Sequence, residues 1–265
     1  MAGSATKLWA SGDVYEPYVG RWSRVVAREF LGWLDPPDGL DWLDVGCGTG
    51  AMTEAIAESN APKRLAGIDP SEGFLAFARQ RLQDRAELRQ ADAQDLPFGP
   101  SEFDRVVSGL VLNFVPNKER AAAELWRVAR PGSEVALYVW DYAGRMEIMR
   151  HFWDAAIALD SSARELDEGR KSPICKPEPL QRLFEGADFK GVETRAIDIP
   201  TVFRDFDDYW TPFLGGQAPA PRYCMSLDEE GRATLRERLR SSLPTRPDGS
   251  IHLVARAWAV RGRKD

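Results

Sequence analysis

Leu43-Asp44-Val45-Gly46-Cys47-Gly48-Thr49-Gly50 decides the fold of this 265-residue chain. The residues around Asp44 read as a buried strand, the glycines as a tight turn, and Thr53, Ala55, Ile56 and Ala57 as the helix that follows. The spacing Gly46-x-Gly48-x-x-Ala51 meets the relaxed dinucleotide fingerprint, in which alanine serves as the third small residue. Glycine reaches positive φ and lets backbone approach a ligand without a Cβ in the way. Taken alone, the turn names a class of nucleotide-like ligand, and an ordinary strand-to-helix turn is the plainer alternative.

The acid inside the strand narrows the class. A pyrophosphate over the turn would leave Asp44 facing two negative charges across a short gap, whereas a cation would be attracted. S-adenosylmethionine carries a sulfonium and an α-ammonium group, so Asp44 matches it and mismatches NAD. Leu65-Ala66-Gly67-Ile68-Asp69 reads as a second buried strand ending in an acid, from which a carboxylate can accept both ribose hydroxyls. A helix N-cap before Pro70 is the structural alternative for Asp69, and the two roles are compatible.

A third element, Ala91-Asp92-Ala93 with Leu96-Pro97-Phe98, completes the pattern, together with Gly67-Ile68-Asp69-Pro70-Ser71, Phe103-Asp104-Arg105-Val106-Val107-Ser108 and Arg127-Val128-Ala129-Arg130-Pro131-Gly132. Over about residues 40 to 141 the chain resembles the class I S-adenosylmethionine-dependent methyltransferases, in the small-molecule group related to the quinone-biosynthesis C-methyltransferases. The resemblance implies a Rossmann-like, doubly wound α/β sheet of seven strands, order 3-2-1-4-5-7-6, with strand 7 antiparallel. It implies that Asp92 takes the adenine amino group, Asp69 the ribose, and the glycine turn the methionine part. Asp44, Gly46, Cys47, Gly48, Asp69, Pro70, Asp92, Ala93 and Ser108 are the cofactor residues expected on that basis. Ser133 stands where the family usually has a second glycine, which bears on the turn into strand five.

Composition fits an enzyme of this kind. The chain is long enough to bury a full core, and we expect one domain over residues 1–265. No run approaches the ~20 apolar residues of a membrane span, and the first residues lack the apolar core of a signal peptide, so a cytoplasmic location is expected. Cys47, Cys175 and Cys224 are odd in number and widely spaced, which argues against a disulfide framework. A net charge of -6 argues against a nucleic-acid partner. Arg232, Arg236, Arg238 and Arg240, interleaved with Leu235, Glu237 and Leu239, read as a solvated amphipathic helix. No metal is expected, and the chain is expected to act as a monomer or homodimer.

Helical stripes at Val25, Val26, Phe30 and Leu31, at Phe74, Leu75, Ala78 and Leu82, and at Ala121, Leu125, Val128 and Ala129 alternate with strands. Strand five is expected at Glu134–Trp140, strand six at Val192–Ile199 and strand seven at Ile251–Val260. Two insertions, residues 142–188 and 203–249, are expected to build a helical cap. Phe203, Phe206, Tyr209, Trp210 and Phe213 fall on one face at helical spacing, most of them to pack the cap and the rest to favour an apolar or aromatic substrate.

Residues 1–34 are expected to form a helical lid over the cofactor. Arg21 offers a bidentate fork for the methionine carboxylate, and Tyr15 and Tyr18 can close the pocket. Methyl transfer is an in-line displacement, so alignment and exclusion of water come first and a base is optional. His151, in the proposed cap helix, is the first candidate base, ahead of His252. The expected activity is methyl transfer to a small, partly apolar or aromatic molecule, yielding S-adenosylhomocysteine. A noncatalytic S-adenosylmethionine-binding protein is the alternative, and an NAD-dependent oxidoreductase the more remote one.

Overall fold

The computed structural model describes residues 16–216 and 218–265, so Tyr15 and the first part of the expected lid lie outside the described residues. One sheet carries β1 (Asp41–Val45), β2 (Arg64–Asp69), β3 (Glu87–Gln90), β4 (Phe103–Gly109), β5 (Ala129–Trp140), β6 (Lys190–Phe203) and β7 (Ile251–Arg263). The strand order is β3-β2-β1-β4-β5-β7-β6. Strands β1 to β5 run parallel, and β7 is antiparallel to both β5 and β6. The order and the reversed strand are those the resemblance implied.

The helices are α1 (Arg21–Leu34), α2 (Ala51–Ser59), α3 (Glu72–Leu82), α4 (Lys118–Val128), α5 (Glu147–Leu159), α6 (Glu168–Lys171), α7 (Pro177–Gly186), α8 (Phe206–Trp210), α9 (Pro219–Ser226) and α10 (Glu229–Ser242). Strand alternation divides the core between the two faces of the sheet. Trp42, Tyr138 and Trp140 pack with Phe30 of α1 and Ile56 of α2. Leu43, Leu137 and Val139 pack with Leu125 of α4 and Phe184 of α7. No helix among the described residues is long and apolar enough to cross a membrane.

Three boundaries differ from the sequence reading. Strand β5 starts at Ala129, because Phe103 pairs with Ala129 before a register shift brings Arg105 opposite Glu134. Gly132, at φ +80°, turns the chain there, and the Ser133 hydroxyl donates to the Phe103 carbonyl at 3.1 Å. Strand β6 extends to both sides of Val192–Ile199, and β7 continues to Arg263, since the two pair from Lys190 to Phe203. The polar, exposed alternate residues of this edge hide its length in the sequence.

The first insertion also divides. Leu180 and Phe184 of α7 are fully buried in the core beneath β5 and β7, so this helix is a layer of the sheet and not part of a cap. The five aromatics do not share one helix: Phe203 ends β6, Phe206–Trp210 is a short helix, and Phe213 lies in the 3-10 turn after it. They pack mainly on one another and on α5, with Phe213 stacked on Phe152 at 4.5 Å.

The loop after β3 is held by a polar clamp. Arg127 on α4 donates to the carbonyls of Phe98 (2.7 Å) and Leu96 (3.0 Å) while paired with Glu124, which accepts from the Leu96 amide at 2.8 Å. Removing the guanidinium takes a donor from the Phe98 and Leu96 carbonyls and from Glu124, although Leu96 still accepts from the Phe98 amide and Glu124 from the Leu96 amide. Arg127→Leu should therefore lower the unfolding free energy by about 1–3 kcal/mol. Chemical denaturation checks this, and an unchanged midpoint would show that the clamp contributes nothing.

Candidate active site

The parallel strands β1, β4 and β5 end at one edge, and β1 and β4 are the pair at which the chain direction across the sheet switches. A cleft partly open to solvent lies there, where open α/β sheets place their ligands. Its floor is the glycine turn. The amides of Gly46 and Cys47 both donate to the Ile68 carbonyl, at 2.7 and 2.8 Å. Gly46 sits at φ +79°, and a Cβ built there would lie 2.4 Å from a methyl carbon of Val111. Gly50, at φ +90°, brings the start of α2 against Ala78 and Leu82 of α3. Two constraints, handedness and close approach, thus fix glycine at position 46.

Two acids lie beneath this cleft. Asp44 is fully buried; its Oδ2 accepts from the Thr53 hydroxyl at 2.6 Å, and its Oδ1 has no hydrogen-bond partner. Burial, with a smaller push from Asp69, raises the Asp44 carboxyl to about 7, against the Thr53 hydrogen bond. Asp69 ends β2 with both oxygens engaged, Oδ2 by the Gly48 amide at 3.0 Å and Oδ1 by the Ser71 amide at 2.8 Å. Burial raises it to about 6, and these amides oppose the shift. The helix cap is Ser71, whose hydroxyl accepts from the Phe74 amide, so Asp69 is not the N-cap.

The opposite wall is apolar and aromatic. Val19 and Ser23 reach it from the N-terminal segment, Leu110 and Phe114 from the loop after β4, and Tyr138, Trp140 and Tyr142 from β5 and its end. Leu110 is left-handed, at φ +64°, with its amide donating to the Tyr138 carbonyl. Among the described residues, no Lys, Arg or His side chain lines the cleft.

Of the residues expected to hold the cofactor, Asp44, Gly46, Cys47, Gly48, Asp69 and Pro70 line the cleft. Others do not. Arg21 pairs with Asp208 at 3.0 Å between the rings of Trp22 and Phe203, so it is committed away from the cleft. The Tyr18 hydroxyl donates to the Met149 sulfur at 2.9 Å, and its neighbour Val19 takes the place expected for it. Ser108 is buried and donates to the Val45 carbonyl at 2.7 Å, tying β4 to β1 under the turn. His151 lies outside the lining on α5, and burial lowers its pKa. Asp92 is exposed, with Oδ1 accepting from the amide and side chain of Gln94, and Ala93 is buried with Leu96 and Phe98. Both lie outside the lining, although the Ala91 amide and the Gln90 side chain anchor the start of their loop to the carbonyls of Asp69 and Pro70.

Sequence reasoning missed Thr53, Val19, Ser23, Leu110, Phe114, Tyr138, Trp140 and Tyr142. The alternation of β5 was the available signal for Tyr138 and Trp140, which must share a face.

The fold and this floor define an adenosyl-binding α/β protein. A family profile described as a methyltransferase domain matches residues 43–137. A demethylmenaquinone methyltransferase of Staphylococcus aureus is 31% identical over 172 residues, which cover 60% of this chain and 71% of that protein. One from Lactiplantibacillus plantarum is 39% identical over 99 residues, 35% of this chain and 42% of that protein, so this chain spans less than half of that relative's length. Among solved structures, a Haemonchus contortus phosphoethanolamine N-methyltransferase bound to S-adenosylhomocysteine superposes with a TM-score of 0.54 at 17% identity, over 86% of this chain and 49% of that one. This chain belongs to the class I S-adenosylmethionine-dependent methyltransferases, similar to the quinone C-methyltransferases.

The residues present fit the cofactor of that family. The unpartnered Asp44 Oδ1 is a buried acceptor suited to an ammonium group, and the turn below has no Cβ at Gly46 or Gly48 to obstruct a ligand. Two outcomes follow from this geometry. Gly46→Ala should destabilise the fold by about 1–2 kcal/mol from the left-handed backbone alone, with more from the collision. Adding Val111→Gly, which removes both methyls and the Cβ that would stand 2.4 to 2.9 Å from the new carbon, should recover only the second part, as denaturant unfolding would show when referred to Val111→Gly alone; no recovery would clear Val111 as the obstacle.

The second concerns pH. Burial favours the protonated Asp44, so the free protein holds that proton below about pH 7, whereas a cationic ligand needs the carboxylate. Binding therefore releases a proton at low pH, and affinity for S-adenosylmethionine should rise up to about tenfold per pH unit toward 7 and then level off. Calorimetry from pH 5 to 8 measures this. Asp44→Asn should bind weakly and lose the rise between about pH 6 and 7, keeping only the dependence that Asp69, at about 6, contributes, and a flat profile in the wild type would refute the assignment.

Proposed function

We propose that this protein transfers a methyl group from S-adenosylmethionine to a small, uncharged, partly apolar or aromatic molecule. The observation that carries this reading is the division of the cleft: two buried acids under the glycine turn, facing an aromatic wall to which the described residues contribute no cation. An anionic acceptor would find no counter-charge there, and a flat ring would find Phe114, Trp140 and Tyr142. The demethylmenaquinone methyltransferases among its relatives carry names consistent with a ring acceptor.

The bound cofactor supplies an electrophilic methyl carbon, whose bond to sulfur breaks as the acceptor's lone pair bonds to it. The protein's part is placement. Asp44 holds the ammonium end, Asp69 the ribose, and the Asp92 loop, anchored beside Pro70, the adenine. The uncapped N-terminus of α2 offers amides to the methionine carboxylate in place of Arg21. No histidine stands at the cleft, so in this reading the acceptor's proton leaves to solvent and His151 has no part. Aromatic walls exclude water from the transfer line.

The test is release of S-adenosylhomocysteine from S-adenosylmethionine in the presence of a reduced naphthoquinone or of phosphoethanolamine. Turnover is expected with the first and not the second; tight cofactor binding with no turnover on any ring acceptor would favour a cofactor-binding protein without catalysis. Asp69→Ala should weaken cofactor binding by about 1.5–3 kcal/mol through lost charge-assisted hydrogen bonds. Calorimetry reads this directly, and undiminished affinity would remove Asp69 from the ribose site.

A further inference from the structure

The aromatic wall ends at a residue that has left the sheet. Strand β5 makes its last ladder pair at Trp140, with Ala257, and Tyr142, half-buried, lines the cleft two residues further on. It sits in a tight turn. The Tyr142 amide donates to the Trp140 carbonyl at 3.0 Å, and the Asp141 carboxylate accepts from the Gly144 and Arg145 amides, both at 2.9 Å. The Tyr142 carbonyl is anchored from another element, accepting from Arg150 Nη1 on α5 at 3.0 Å.

Arg150 is itself held in a buried grip. Nη1 and Nη2 donate to the two carboxylate oxygens of Asp167 at 3.0 and 2.8 Å, and the Asp167 side chain is only 7% exposed. Such a fork fixes the plane of the guanidinium as well as the place of its charge. Asp167 also caps α6, accepting from the Gly169 amide at 2.8 Å. One turn further along α5, the Trp153 indole donates to the buried Glu168 carboxyl. Two adjacent acids thus seat α6 on α5, with Arg150 as the link to Tyr142.

Gly169 shows how closely this link is packed. A Cβ built there would fall 2.6 Å from Arg150 Nη1 and 2.9 Å from both the Ala143 Cα and the Tyr142 carbonyl oxygen. Helix α6 therefore closes directly on the turn that carries Tyr142, and position 169 needs glycine for that approach. Arg150, Asp167, Glu168 and Gly169 do not line the cleft themselves; the joint reaches it through Tyr142. Asp44 and Asp69 lie on β1 and β2, two and three strands from β5, so the joint bears on the acceptor side and not on the cofactor side.

We propose that Arg150 is a positioning residue for the methyl acceptor: by fixing the Tyr142 carbonyl it holds the Tyr142 ring on the wall, and so sets how tightly a flat aromatic acceptor is bound. The inference rests on the methyl-transfer reading of the cleft and deepens it. A residue beyond the end of its strand has no ladder to hold it, and a binding site keeps its geometry to within about 0.5 Å only when a supporting shell locks its walls. Here that shell is the α5–α6 joint.

Equilibrium dialysis of 1-naphthol against the full-length protein saturated with S-adenosylhomocysteine, with calorimetry of S-adenosylhomocysteine alongside, tests the proposal. Arg150→Lys keeps the charge but cannot grip Asp167 bidentately and the Tyr142 carbonyl together. It should lower 1-naphthol affinity about tenfold and leave S-adenosylhomocysteine affinity as it is. Gly169→Ala, which displaces the guanidinium without removing it, should act in the same direction. In a Tyr142→Ala background Arg150→Lys should add no further loss, whereas a purely structural role would give the same loss in both. Arg150→Met with Asp167→Asn removes both charges and takes the place of Arg150→Lys if that variant does not fold. Full 1-naphthol affinity in the Arg150 variants, an equal loss in the Tyr142→Ala background, or a matching loss of S-adenosylhomocysteine affinity overturns the proposal and leaves the methyl-transfer reading standing. A wild type that binds S-adenosylhomocysteine but not 1-naphthol overturns the proposal together with the aromatic acceptor, and failure of S-adenosylhomocysteine to bind overturns the methyl-transfer reading itself.

Discussion

A carboxyl group sealed from solvent, with one oxygen bonded to a threonine and the other without a partner, governs the arrangement of this protein's cleft. Asp44 lies in β1, between β2 and β4, its Cα paired with Gly67 on one side and Val107 on the other. A buried carboxylate without compensation is costly, and burial alone pushes such a group toward its neutral form. The fold lowers that cost only in part, through the Thr53 hydroxyl. To bring Thr53 there, α2 must start directly after the turn, and to start there the turn must pass through three glycines in left-handed conformations. The helix, the turn and the orphaned oxygen are consequences of one placement.

Motifs that look in sequence like a series of ligand contacts prove to be two kinds of part. Asp44, Gly46 and Asp69 face the cleft, whereas Ser108 and Arg127 hold the frame around it. Ser108 ties β4 to β1 at the height of the turn, and Arg127 carries the loop after β3 on α4. Their joint presence along the chain reflects the need to fix the cleft's edges from behind as well as to line its interior.

The floor was legible because it is local. A strand, a glycine turn and a terminal acid are adjacent in sequence, and each carries a steric or electrostatic requirement that few other contexts impose. The wall was not, because it depends on which elements meet. Arg21 looked free to serve the cofactor until Asp208, far along the chain, was brought to it by the turn after β6. His151 was placed on the right helix, but no residue of α5 lines the cleft. Tyr138 and Trp140 were read as members of a strand; the alternation shows that they share a side, and only the layering of α1 against that side says it is the one open to ligand. Helix α7 was assigned to an insertion because length alone does not distinguish a helix beside a sheet from one above it.

Asp69 has a further consequence. Each carboxylate oxygen offers two lone pairs, and backbone amides of Gly48 and Ser71 occupy one on each. The side chain is therefore already held in a single rotamer before any ligand arrives, with its remaining lone pairs directed outward. A diol reaching it orders no protein torsion, so the entropy of fixing that acid was spent in folding, and the encounter itself is left with only the ligand's own freedom to lose.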